Sequence, residues 1–305
     1  MTCKPYVWLL SVCLWGLVFP GVGMACPSRI YQAAFYRWQP DDYHVTVEYS
    51  GELSKAPVEA VNVLRSQSMD DPGRANVRTE FRRVDGKGGN EPPVMQVSYV
   101  KHVPLMEAAP ADRMGAAVWT NLVWSGPFTA ETTARILDSP VRQELKKRLL
   151  AGDVAVWILL ESGDKEKDDR TARLAEETFK DIRVNMKLPP LPAVSRFSAA
   201  PSAVAAGDKD IRLSLIRVSR DNPAESFLVT TIRRFLDDPK GDSEPVLTPV
   251  FGRGMMLKPL AGARLNPEAI RKVTAELLGH CTCTSPLPHQ ARYLLMKGNW
   301  EKSAL

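Results

Sequence analysis

Cysteine is scarce in this chain, five residues in 305, far below the roughly one in ten that marks a small disulfide scaffold. Glycine numbers only 19, which excludes collagen-like repeats, where about every third residue is glycine. Tyr6 to Phe19 forms an apolar run of about 14 residues, short of the roughly 20 that span a bilayer. No long block of one charge sign occurs. The cluster Lys146-Lys147-Arg148 sits beside Glu144 and reads as a solvated helix face, so the net charge of +5 is no nucleic-acid footprint. Also missing are a Walker A loop, a Gly-x-Ser-x-Gly elbow, a His-Glu-x-x-His pair and a dinucleotide fingerprint. With 44% hydrophobic and 25% charged residues, what remains is an ordinary globular chain, long enough for roughly two domains of about 150 residues.

The N-terminus predicts export. Lys4 is the one charged residue before the apolar run, Pro20-Gly21 ends the run, and Gly23-Met24-Ala25 supplies small residues at minus three and minus one of a cleavage site. Residues 1–25 are therefore expected to be a signal peptide, with a periplasmic or secreted product and no membrane span after cleavage. Retention as an anchor and lipidation at Cys26 are the lesser alternatives. Cleavage removes Lys4, Cys3 and Cys13, leaving a charge of +4 and three cysteines, Cys26, Cys281 and Cys283. An odd number in an oxidising compartment leaves one thiol free, lipidated or paired with another chain.

Periodicity divides the rest. Tyr31, Phe35 and Trp38 share one face of a short helix; Tyr43, Val45, Val47 and Tyr49 alternate with polar residues in a strand with one wet face. A helix over 57–65 and strands over 75–84, 94–100 and 118–124 follow, with Ser125-Gly126-Pro127 read as a turn. Thr129 and Ser139 are expected to cap two helices, the second closing at Gly152, where the domain boundary is placed. Val154 to Leu160 is almost uninterruptedly apolar, as in a strand buried on both faces. Beyond it come a charged helix over about 168–187, a Pro/Ala-rich insertion at about 188–207 and a strand over 211–219. A helix over 223–235, a hairpin around Gly252-Arg253-Gly254 and a final helix capped by Asn266 complete the pattern.

Strand, helix, strand, helix, hairpin, helix is the element order of the thioredoxin fold, and Val154 to Gly279 resembles it. Thr248-Pro249-Val250 is similarly placed to the cis-proline of that fold, so Pro249 is the candidate cis-proline. Where catalytic members carry Cys-x-x-Cys, this chain has Ser162-Gly163-Asp164-Lys165-Glu166. The N-terminal half looks like a divergent second copy. Together with Val156-Trp157-Ile158-Leu159-Leu160-Glu161-Ser162-Gly163 and Val250-Phe251-Gly252-Arg253-Gly254, these features resemble exported bacterial proteins with tandem thioredoxin-like domains that lack the dithiol. The resemblance implies an α/β fold class with two such domains, residues 26–152 and 153–305, and no particular reaction.

Few residues carry obvious chemistry. His280, Cys281, Cys283 and His289 form a cluster able to ligate Cu or Zn. The single residue between the two cysteines strains a shared tetrahedral site, and a structural or inert pair is the stronger reading, whether bonded as a strained Cys281–Cys283 disulfide or with one of the two bridged to Cys26. A redox role for Cys26 or for the Cys281/Cys283 pair is the third. Glu161, Asp164, Glu166, Asp168 and Asp169 crowd one strand-to-helix loop, where dipole compensation is the ordinary explanation. Trp119, Trp124 and Trp157 are expected in the core, and His44 and His102 in or beside strands. The expected function is non-catalytic binding, with no cofactor and with a protein partner left open; metal handling and thiol oxidoreduction are the alternatives.

Overall fold

The computed structural model describes residues 28–50, 58–67, 75–84, 92–102, 118–190, 210–236, 243–281, 287–298 and 300. The signal segment, Cys26, Cys283 and most of the Pro/Ala-rich insertion lie outside the described residues, as do the side chains of His102, Trp119 and His289.

The chain is a mixed α/β protein with two sheets. The first holds β1 (Asp42–Tyr49), β2 (Val77–Arg83), β3 (Val94–His102) and β4 (Val118–Pro127) in the order β2-β1-β3-β4. β1 and β2 run parallel, linked through α2 (Val58–Arg65), and β3 is antiparallel to both β1 and β4. Tyr43, Val45 and Val47 point inward, against Val61 and Leu64 of α2 and Ile136 and Leu137 of α3 (Ala130–Leu137). His44, Thr46 and Glu48 face outward, where Asp42 and Glu48 pair with Arg78 and Arg82 of β2. Period-2 alternation thus yields one apolar and one polar sheet face, as expected from the sequence.

The second sheet repeats that path. β5 (Ala155–Leu160) is parallel to β6 (Leu213–Val218) and antiparallel to β7 (Val246–Phe251), which pairs with β8 (Met255–Met256) and β9 (Leu260–Ala261). β10 (Arg292–Tyr293) adds to β8. All six residues of β5 are buried because helices cover both faces. Trp157 and Leu159 meet α1 (Ile30–Tyr36), α5 (Lys165–Asn185) and α7 (Pro267–Leu278). Val156, Ile158 and Leu160 meet α4 (Pro140–Leu150) and α6 (Ser226–Arg233). The division at residue 152 separates the two sheets, yet α1 and α4, from its N-terminal side, pack on the second one.

The C-terminal segment joins the halves. Leu295 enters the first core while Leu294 and Met296 enter the second, and Asn76 donates to the Leu294 carbonyl and accepts from the Met296 amide. Tyr43 donates from its hydroxyl to the Tyr293 carbonyl at 2.8 Å. Among the described residues, no helix is long and apolar enough to cross a membrane.

Three local expectations change. β4 continues through Ser125-Gly126-Pro127 instead of turning, with Gly126 opposite Met95 and Pro127 opposite Val94. A Cβ on Gly126 would lie 2.7 Å from the Trp124 ring, so glycine lets the indole fold along the strand. Ser139 stands at the head of α4 but its side chain does not cap it; the Glu225 carboxylate does, accepting from the Val141 amide at 2.9 Å and the Ser139 hydroxyl at 2.6 Å. Pro249 is a trans residue, since no cis peptide bond occurs among the described residues. The Pro249 carbonyl accepts from Leu257, so its nitrogen faces the gap between β9 and β8, away from β5. No ladder bond is lost there, and an extended trans proline fits.

Candidate functional site

The end of β5 and the head of α5 form the loop that the sequence resemblance set against a Cys-x-x-Cys. Here Asp164 is the N-cap, accepting from the amides of Glu166 at 3.0 Å and Lys167 at 3.2 Å. Asp168, only 3% exposed, folds back to accept from the Ser162 amide at 2.7 Å, the Ser162 hydroxyl at 2.9 Å and the Gly163 amide at 3.1 Å. Gly163 has φ +92°, which glycine adopts without strain. The donors that a helix N-terminus offers to a thiolate or anion are thus turned onto the chain's own carboxylates. Glu161 and Asp169 both pair with Arg217, at 2.7 and 2.8 Å. Lys165 also bonds Asp169, and these two cations hold its carboxyl below the ordinary aspartate range. Capping and ion pairing account for four of the five carboxylates, and Glu166 is an exposed acidic residue in the first turn of α5.

The cysteine-rich segment follows α7. Arg29 and His280 form an antiparallel bridge, flanked by bonds from the Ile30 amide to the Gly279 carbonyl at 3.0 Å and from the Cys281 amide to the Ser28 carbonyl at 2.9 Å. The Arg29 guanidinium, buried with its residue, donates to the carbonyls of Pro189 and Leu278, each at 3.0 Å. Cys281 packs in the core around Trp157, whereas the His280 imidazole contacts the Pro190 carbonyl at 2.5 Å on the outside. These two neighbours diverge, as successive residues of an extended segment must. Among the described residues, no group of three His, Cys, Asp or Glu side chains is placed to hold a metal ion.

Gly252-Arg253-Gly254 is the turn from β7 to β8, with φ of +57° and +92° at its glycines. A Cβ on Gly252 would approach Ala34 of α1 to 2.6 Å, and one on Gly254 would approach Met296 to 2.6 Å. Arg253 donates to the Phe35 carbonyl at 2.5 Å. The hairpin is a seat for α1 and the C-terminal segment. Trp157 is fully buried with its ring centroid 5.9 Å from that of Phe179; Trp124 is half-buried against the first core, and His44 lies on the outward face of β1.

One feature escapes sequence reasoning altogether. A cleft of about 630 Å³ opens between the end of α6, the β8–β9 region, one side of α7, and α8 (Leu287–Gln290). Five cations, Arg234, Lys258, Arg264, Lys272 and Arg292, line it with a single carboxylate, Glu276. They come from four regions far apart in sequence, at residues 234, 258–264, 272 and 292, so no single local pattern announces them.

Comparison with known protein families, curated proteins and solved structures returns no match.

Proposed function

We propose that the chain is an exported binding protein of two thioredoxin-like units that works without thiol chemistry. The thioredoxin-like reading is supported by the path the two sheets share, with a parallel first pair and an antiparallel third strand. The non-catalytic reading rests on the Asp168-locked loop at the head of α5, which has no thiol and whose Ser162, Gly163, Glu166 and Lys167 amides are taken up by Asp168 and Asp164. In an insulin-reduction assay with dithiothreitol, the protein is expected to add nothing to the buffer rate. Turnover that disappears with Cys281→Ser plus Cys283→Ser would replace this reading by an oxidoreductase.

The cysteines are proposed to be structural. Cys26 lies two residues before Ser28, whose carbonyl holds the Cys281 amide. Two residues reach about 7 Å, and disulfide Cα atoms stand about 4.4–6.8 Å apart. Peptide mapping without reductant is expected to find Cys26 joined to Cys281 or Cys283. Alkylation of all three thiols in the unreduced protein would overturn the pairing and bring Cu or Zn ligation by His280, Cys281, Cys283 and His289 forward.

A further inference from the structure

The cleft beside α7 combines a charge bias with an apolar floor. Phe235, Leu257, Leu260, Val273 and Leu287 form the floor, and Leu257 and Leu287 are buried members of the core beneath it. Its volume of about 630 Å³ falls in the range of small-molecule sites, about 300–1,000 Å³. Arg292 is pre-positioned: its guanidinium lies 4.5 Å from the Phe235 ring centroid and 5.8 Å from that of Tyr99. Its backbone is held in β10 opposite Met256. A stacked, planar guanidinium presents its remaining donors in a fixed fork that suits a carboxylate or sulfonate. Arg234, at the end of α6, and Lys272, on α7, are exposed members of the lining. Lys258 and Arg264 also engage other parts of the chain, so the argument rests on Arg234, Lys272 and Arg292.

Each half of this arrangement excludes ligands the other admits. A bare inorganic anion gains nothing from the apolar floor, and an apolar cation is repelled by the rim. We propose that the cleft binds a small amphiphilic anion, a single carboxylate or sulfonate head on an apolar body, with the head at Arg292 and the body over Val273 and Leu257. The proposal rests on the reading of the chain as a binding protein and names its ligand class.

The test is a fluorescence titration of the purified protein with 8-anilinonaphthalene-1-sulfonate, followed by displacement. Saturable binding is expected, displaced by laurate below its micelle concentration, and not by acetate or dodecyltrimethylammonium at the same concentration. Arg234→Glu combined with Lys272→Glu, both at exposed positions, is expected to weaken binding at least tenfold with an unchanged melting curve. Should the reversal unfold the protein, Arg234→Gln with Lys272→Gln is expected to weaken it about threefold. Absence of saturable binding, equal displacement by the cationic amphiphile, or unchanged affinity in the folded variants would overturn the proposal. The insulin assay does not depend on this cleft, so failure here leaves the non-catalytic reading to be judged separately.

Discussion

Replacing Arg142 by methionine is expected to lower the unfolding free energy by about 3–5 kcal/mol, the usual cost of removing one of two coupled buried charges, here joined through the Ser139 hydroxyl. Arg142 is 2% exposed. Its guanidinium donates to the carbonyls of Ile136 and Leu295, each at 2.9 Å, to that of Arg135 at 2.7 Å, and to the Ser139 hydroxyl at 3.0 Å. Ser139 passes its own hydrogen to Glu225, which is fully buried and caps α4. Burial pulls the Arg142 group down to about 10, with Asp138 and Glu225 opposing the shift, so it stays cationic at neutral pH. Methionine fills a similar volume but orphans three carbonyls and leaves Glu225 without its counter-charge. Hydrogen exchange is expected to rise across 291–298, because the Leu295 tie anchors the segment that carries Arg292 into the cleft. In the background of Glu225→Gln, the same substitution should cost less by at least about 1 kcal/mol, since coupled neighbours are non-additive. A loss below about 1 kcal/mol in the single variant, measured by urea unfolding, would show that the relay is not what holds α3, α4 and the C-terminal segment together.

Period and capping made most elements legible. β1, β5, α3 and α7 follow directly from alternation, continuous apolarity, Thr129 and Asn266; the Thr129 hydroxyl accepts from the Thr132 amide and the Asn266 side chain from the Ala269 amide. What stayed hidden depends on contacts between distant residues. Nothing local to Ser139 announces that Glu225, 86 positions away, will take over its cap. That β7 takes Pro249 without losing a ladder bond depends on where β9 hands the edge of β7 to β8, a register that two short strands do not advertise. The loop after β5 was readable as lacking thiols, but not as locked, because Asp168 resembles any acidic residue in a first helical turn until its three donors are in place. The basic cleft was invisible for the same reason: its five cations gather only when α6, the β8–β9 region, α7 and β10 converge.

Gly252→Ala is expected to cost about 3 kcal/mol, from two separable sources. At φ +57°, any Cβ pays roughly 1–2 kcal/mol for a left-handed backbone. The second source is packing: that Cβ would sit 2.6 Å from the Ala34 Cβ and 2.8 Å from its carbonyl carbon, and overpacking of a filled core costs about 1–3 kcal/mol. Gly262 provides the control, because it has nearly the same φ, +54°, with nothing within 4 Å of an added Cβ. Gly262→Ala is therefore expected to lose only the conformational share, and the difference between the two variants isolates the contact with α1. Relief is limited, since the backbone of Ala34 as well as its methyl blocks the space, so α1 itself must move. That movement would carry Arg29 away from the Leu278 and Pro189 carbonyls and open the bridge to His280. If Cys26 is bonded across the same junction, as proposed above, reduction is expected to deepen the Gly252→Ala deficit by more than it affects Gly262→Ala. Equal losses for the two glycines in thermal unfolding, with and without reductant, would mean that the hairpin does not seat the N-terminal helix.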